Sequence, residues 1–122
     1  MYNQEVIKEF QNPKNAGTME NANGIGTAGN ESCGDIMKIF LKVENDIIID
    51  AKFQTFGCAA AIASSSVATQ MVIGKSLNDA LAVTNKQVIE KLGGLPSQKI
   101  HCSVLAETAI ASAIEDYKKN NE

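Results

Sequence analysis

Cys33, Cys58 and Cys102 are the side chains of this sequence with the strongest chemical potential. They lie in Ser32-Cys33-Gly34-Asp35, Phe56-Gly57-Cys58-Ala59 and Lys99-Ile100-His101-Cys102. An odd number of thiols does not close into a disulfide framework. Three thiolates and one carboxylate or imidazole make four ligands, the number taken by a zinc ion or a two-iron cluster. Asp35 stands two residues beyond Cys33, and His101, the one histidine of the chain, adjoins Cys102. Three buried cysteines serving as small hydrophobes are the competing reading, and a common one for this residue type. Placement opposes it. Cys33 follows a Gly-rich stretch, Cys58 sits where a strand gives way to a helix, and Cys102 opens a helix after Gly93-Gly94-Leu95-Pro96. At helix N-termini the dipole and free amides favour thiolate, so Cys58 and Cys102 are expected to carry lowered pKa values.

The elements that hold these residues follow from periodicity. Val6, Ile7 and Phe10 share a helical face, and Asn12-Pro13-Lys14-Asn15-Ala16-Gly17 ends that helix. The Gly-rich stretch 23–30 reads as a loop leading into Cys33. From Asp35 to Val43, Met37, Ile39, Leu41 and Val43 alternate with Lys38 and Lys42, which predicts a strand. Glu44-Asn45-Asp46 is a turn, and Ile47 to Phe56 is the hairpin partner, with Ile49, Ala51 and Phe53 on one face and Asp50, Lys52 and Gln54 on the other. After Gly57 the pattern becomes helical, with Ile62, Ser66, Val67 and Met71 near one face. Ser76 with Asp79, and Thr84 with Gln87, have capping-box spacing. A last amphipathic helix runs from about Cys102 to Tyr117. The pattern is that of a single α+β domain over 1–122, a small antiparallel sheet with helices packed on one side.

Composition narrows the function. The chain has 122 residues, 11 basic against 14 acidic, for a formal net charge of −3, and 5% aromatics without tryptophan. No basic surplus and no stacking platform argue against nucleic acid. The start, Met1-Tyr2-Asn3-Gln4-Glu5, lacks the charged and apolar regions of a signal peptide. No apolar run approaches the roughly 20 residues of a membrane span. A cytoplasmic protein with reduced thiols is expected. Gly24-x-Gly26-x-x-Gly29 has the spelling of a dinucleotide fingerprint, but no strand precedes it and no helix clearly follows. Ser64-Ser65-Ser66 fits small residues of a packed helix better than a nucleophile, and Lys118-Lys119 fits a solvated helix end.

Together the Cys-Gly-Asp, Gly-Cys and His-Cys-Ser elements, in this order, closely resemble the IscU/NifU-type iron–sulfur cluster scaffold family. The likeness covers nearly the whole chain. It takes in Tyr2, Val6-Ile7, the stretch 12–17, Cys33-Gly34-Asp35-Ile36-Met37-Lys38, the stretch 50–58, Ala61-Ile62-Ala63-Ser64-Ser65-Ser66 and the stretch 101–107. The resemblance implies the family's fold, an antiparallel three-stranded sheet with helices on one side. It implies a scaffold, not an enzyme, that builds a transient 2Fe–2S cluster from iron and desulfurase-derived sulfur and hands it to apo proteins. The family's ligand positions fall on Cys33, Asp35, Cys58, His101 and Cys102. A lysine that aids the site falls on Lys99, and Cys102 is the candidate persulfide acceptor. Implied partners are a cysteine desulfurase, apo iron–sulfur acceptors and an iron donor of the frataxin kind.

The residue chemistry agrees with cargo that must leave. Three thiolates hold iron firmly, and a carboxylate or imidazole in the fourth place makes a more exchangeable corner. One departure bears on partners. The family's Leu-Pro-Pro-Val-Lys stretch, read by an Hsp70-type chaperone, is here Leu95-Pro96-Ser97-Gln98-Lys99, where the missing second proline and valine weaken the extended helix and apolar anchor and put that partner in doubt. Two alternatives remain. A SufU-like zinc-dependent sulfurtransferase shares the cysteines but carries an insertion between the second and third, where this chain has the compact spacing. A non-catalytic zinc-stabilised module would unfold without its metal. Zinc is also a metal that an isolated scaffold acquires.

Overall fold

The computed structural model describes residues 2–30 and 35–120; Cys33 lies outside them. Three strands, β1 (Gly24–Asn30), β2 (Asp35–Glu44) and β3 (Ile47–Phe56), form an antiparallel meander in the order β1-β2-β3. Between β2 and β3 the chain reverses at Asn45 and Asp46, with φ of 54° and 61°. Two consecutive left-handed residues make the turn whose twist matches that of the strands, and Asn and Asp tolerate it. Met37, Ile39 and Leu41 are fully buried, so the alternation in β2 marks the core face as expected.

Two expectations about strands are corrected. Ile49 is exposed and Ile48 is fully buried, because the pairing register shifts between Lys42 and Val43. Lys42 opposes Asp50 while Val43 opposes Ile48, which leaves Ile49 as the extra residue of a bulge and turns it to the other face. The Gly-rich stretch is not a loop but strand β1. Its reason lies in the helix that crosses it, α5 (Ile100–Asn120). A Cβ on Gly24 would lie 2.6 Å from the Ala113 carbonyl oxygen, and one on Gly26 would collide with the Ala113 nitrogen and Ala109 oxygen. Glycine lets the helix backbone rest directly on the strand. Gly26→Ala is therefore expected to cost about 3 kcal/mol or more, since two rigid backbones must separate; a urea melt measures it.

Helices α2 (Ala59–Val72) and α5 cover one face of the sheet, α2 against β3 and α5 against β1 and β2. Ser64, Ser65 and Ser66 are all fully buried in α2, as expected of a helix hemmed in by sheet and neighbours. Ser65 bonds Thr55 Oγ1 at 2.7 Å and donates to the Ala61 carbonyl, and Ser66 donates to Glu9 Oε1 at 2.7 Å. That last bond explains a third correction. Helix α1 (Gln4–Gln11) buries only Val6, whereas Ile7 and Phe10 are exposed. Glu9 takes the place facing α2, receiving Ser66 and the Gln70 side chain, so the contact is polar where an apolar stripe was expected.

Short helices α3 (Leu77–Leu81) and α4 (Asn85–Lys91) follow the capping signals. Ser76 accepts from the Asp79 amide, and Thr84 and Gln87 complete a reciprocal capping box. After Gly93-Gly94 a single 3-10 turn, Ser97–Lys99, leads into α5, which begins two residues before Cys102.

Candidate metal centre

Three junctions converge at one end of the sheet. Pairing of Ile36 with Phe56 sets Asp35, the first residue of β2, beside Gly57 and Cys58 at the exit of β3. The first turn of α5 brings His101 and Cys102 over them. Cys58 Sγ and Cys102 Sγ are 3.5 Å apart. Cys102 Sγ lies 3.8 Å from Asp35 Oδ2 and 3.6 Å from His101 Nε2, and those two are 3.3 Å from each other. Asp35, Cys58 and Cys102 offer ligand atoms that all fall within 4.8 Å of one another. His101 reaches two members of the group from the solvent side, with its side chain 51% exposed.

Local structure explains each position. Cys58 is the N-cap of α2, with φ −76° and ψ 171°, and its side chain makes no capping bond, so the sulfur is free to face the site. Its carbonyl starts the helix by accepting from Ala61 and Ile62. Its own amide donates to Asp35 Oδ1 at 3.2 Å, which ties the carboxylate to the start of α2. Gly57 makes that approach possible, since a Cβ there would run into the Asp35 carboxyl group. Asp35 is buried, and the remaining oxygen, Oδ2, is the one turned to His101 and Cys102.

These spacings suit one tetrahedral ion. Two thiolates each about 2.3 Å from one metal stand roughly 3.8 Å apart, and a nitrogen and an oxygen at about 2.1 Å stand roughly 3.4 Å apart. The sulfur pair at 3.5 Å and the His101–Asp35 pair at 3.3 Å are close to such edges. A soft pair of sulfurs beside one hard oxygen fits zinc or iron and not magnesium or calcium.

Of the five expected ligand residues, Asp35, Cys58, His101 and Cys102 come together; Cys33 lies outside the described residues. Lys99 sits in the turn just before α5. The lowered thiol pKa expected at Cys102 is not found. Burial pushes it up to about 12, reinforced by the hydrogen bond and charge of Cys58 and by the charge of Asp35, with Lys99 opposing. Cys102 is fully buried, and desolvation there outweighs the helix terminus. Two neighbours had no site role assigned from the sequence. Tyr2 and Leu95 pack, with Cys58, against the buried cluster of Ala60, Ala61 and Cys102. The Tyr2 hydroxyl pKa is raised, by burial first and then by the charge of Cys58, with Lys99 opposing. Nothing local in the sequence signals that contact, because it joins residues from three distant parts of the chain, Tyr2, the stretch 58–61 and the stretch 95–102.

Comparison with known proteins gives the family and the fold. The model of the NifU-like N terminal domain matches residues 1–122. The chain is 55% identical over 121 residues to the iron-sulfur cluster assembly scaffold protein IscU 1 of Archaeoglobus fulgidus, covering 99% of this chain and 79% of that one. It is 49% identical over 125 residues to the iron-sulfur cluster assembly scaffold protein IscU of Escherichia coli (strain K12), covering 99% and 97%. Among solved structures, a putative iron-sulfur cluster assembly scaffold protein for the SUF system from Fervidobacterium islandicum AW-1 superposes with a TM-score of 0.76 at 23% identity. That match covers 93% of this chain and 96% of the other, and shares the fold.

Proposed function

The chain belongs to the family of the NifU-like N terminal domain, and from that membership and the paired sulfurs of Cys58 and Cys102 we propose that it is a scaffold on which a 2Fe–2S cluster is assembled and from which it is passed on. The single observation that carries this reading is the group Asp35, Cys58 and Cys102, two thiols and one carboxylate within 4.8 Å. The whole chain, 1–122, acts as one scaffold domain. Cys33, Cys58 and Cys102 are the thiolate ligands, and Asp35 and His101 share the fourth place. A mixed ligand set suits cargo, since the oxygen or nitrogen bond to iron exchanges more readily than a thiolate bond. Zinc is a second metal that this donor set accepts.

Sulfur arrives as a persulfide on a cysteine desulfurase. The Cys102 thiolate attacks the outer sulfur of that persulfide, the S–S bond breaks, and the donor cysteine leaves as its own thiolate. Lys99 favours the thiolate, while burial works against it, so the buried thiol must be uncovered or bind a metal first. Apo iron–sulfur proteins are the acceptors, and an iron donor of the frataxin kind is a third partner. Among the described residues no helix is long and apolar enough to cross a membrane. We place the protein in the cytoplasm, where its thiols stay reduced.

Anaerobic reconstitution with ferrous iron, cysteine, a cysteine desulfurase and a dithiol reductant, which supplies the two electrons that take each persulfide sulfur to sulfide, tests the reading. The expected product is red-brown, with iron and sulfide in equal amounts, and passes both to an apo-ferredoxin. A colourless product that retains only zinc and relays sulfur without iron would overturn it in favour of the zinc-dependent sulfurtransferase.

A further inference from the structure

Two partly buried residues pack on the cluster that holds Cys102, and their chain neighbours are tied together at a point outside the site. Tyr2 comes from the N-terminal segment and Leu95 from the connection between α4 and α5; both pack on the cluster that contains Cys102. Asn3 follows Tyr2, and Gly94 precedes Leu95. The Asn3 Nδ2 donates to the Gly94 carbonyl at 3.2 Å. The same side chain uses its oxygen to cap α1, accepting from the Val6 amide at 3.0 Å. Gly93 makes room for the contact: its φ is +75°, and a Cβ there would come within 3.2 Å of Asn3 Nδ2. The immediate neighbours of the two covering residues are thus joined by one hydrogen bond.

We propose that Tyr2 and Leu95 form a cover over Cys58 and Cys102, and that Asn3 is the positioning residue that holds it shut through Gly94. The bond is exposed to solvent and therefore weak, so the cover opens readily while the core of the domain stays folded. Opening lets a partner's persulfide or an incoming metal reach sulfurs that the closed form shields. The inference rests on the scaffold reading for its biological meaning. Its test uses the metal-free chain, and its outcome is independent of whether a cluster is ever built.

The measurement is the rate at which iodoacetamide alkylates Cys58 in the reduced, chelator-treated 122-residue protein, resolved by peptide mass spectrometry. Asn3→Asp and Asn3→Ser both keep an oxygen to cap α1; aspartate loses the donor to Gly94, and the serine hydroxyl is too short to reach that carbonyl from the cap position. Each is expected to raise the rate about threefold, the scale of one exposed hydrogen bond, with an unchanged thermal melt. The serine variant controls for the charge that aspartate adds. Tyr2→Ala is expected to raise the rate further, and if it fails to fold, the two Asn3 variants decide the matter alone. Wild-type rates in both Asn3 variants would overturn the latch. An equal rise in amide exchange through Val67–Val72, deep in α2, would show general loosening and would also overturn it.

Discussion

Serine at position 58 or at position 102 is expected to abolish stable cluster assembly while the domain remains folded. Each substitution removes one of the two sulfurs that stand 3.5 Å apart, and a hydroxyl is a poor donor to iron beside sulfide. With one thiolate gone, two iron atoms share at most two, counting Cys33. Folding should survive. Cys58 is only partly buried and its side chain makes no cap, so α2 keeps its start. Cys102 is fully buried and its thiol stands 3.8 Å from Asp35 Oδ2, too far for a hydroxyl to bond without a local shift, so the position 102 variant is the less stable of the two. A buried hydroxyl left without a partner costs about 1–3 kcal/mol, which a melt would register as a drop of several degrees in a domain that still folds. Anaerobic reconstitution followed by its visible spectrum checks the expectation. Wild-type yield and lifetime in either variant would remove that cysteine from the ligand set. Cys33→Ser is expected to behave alike, on the ligand count alone.

What was legible in the sequence, and what was not, divides by how local the cause is. The β2–β3 hairpin could be read because apolar alternation and an Asn45-Asp46 turn act over a few residues. The caps at Ser76 and Thr84 could be read for the same reason. Strand β1 could not, because a run of glycine, alanine and threonine shows no alternation; its glycines make sense only once α5 lies on them. The bulge that exposes Ile49 is a matter of register between two strands, and neither strand alone encodes it. At the site, the positions of Cys58 and Cys102 at the starts of helices were visible as junctions. The protonation of Cys102 was not. Its thiol answers to burial and to Cys58 and Asp35, which come from other parts of the chain, more than to its own helix.

Asp35→Ala is expected to leave cluster assembly intact and to slow transfer to an apo-ferredoxin. The carboxylate is the one hard donor in the group, so its bond to iron should exchange faster than any thiolate's and open a coordination place for an acceptor's sulfur. Without it, His101 is placed to take over, since Nε2 already stands 3.6 Å from Cys102 Sγ. Burial and Cys58 raise the Cys102 thiol pKa most and the charge of Asp35 adds to them, so removing that charge should ease, not hinder, the bond of that sulfur to iron. The expected slowing is about tenfold, equivalent to ~1.4 kcal/mol in the exchanging bond. Asp35 has a structural duty as well, because Oδ1 accepts the Cys58 amide at the start of α2. Asp35→Asn separates the two. An asparagine oxygen can still receive that amide, yet the anionic ligand is gone. If coordination is what matters, both variants transfer slowly and keep their clusters longer than wild type. If the amide bond is what matters, asparagine restores wild-type transfer and melting while alanine only lowers the melt. Anaerobic transfer kinetics on the two variants, followed as the acceptor's spectrum grows in, decide between the roles.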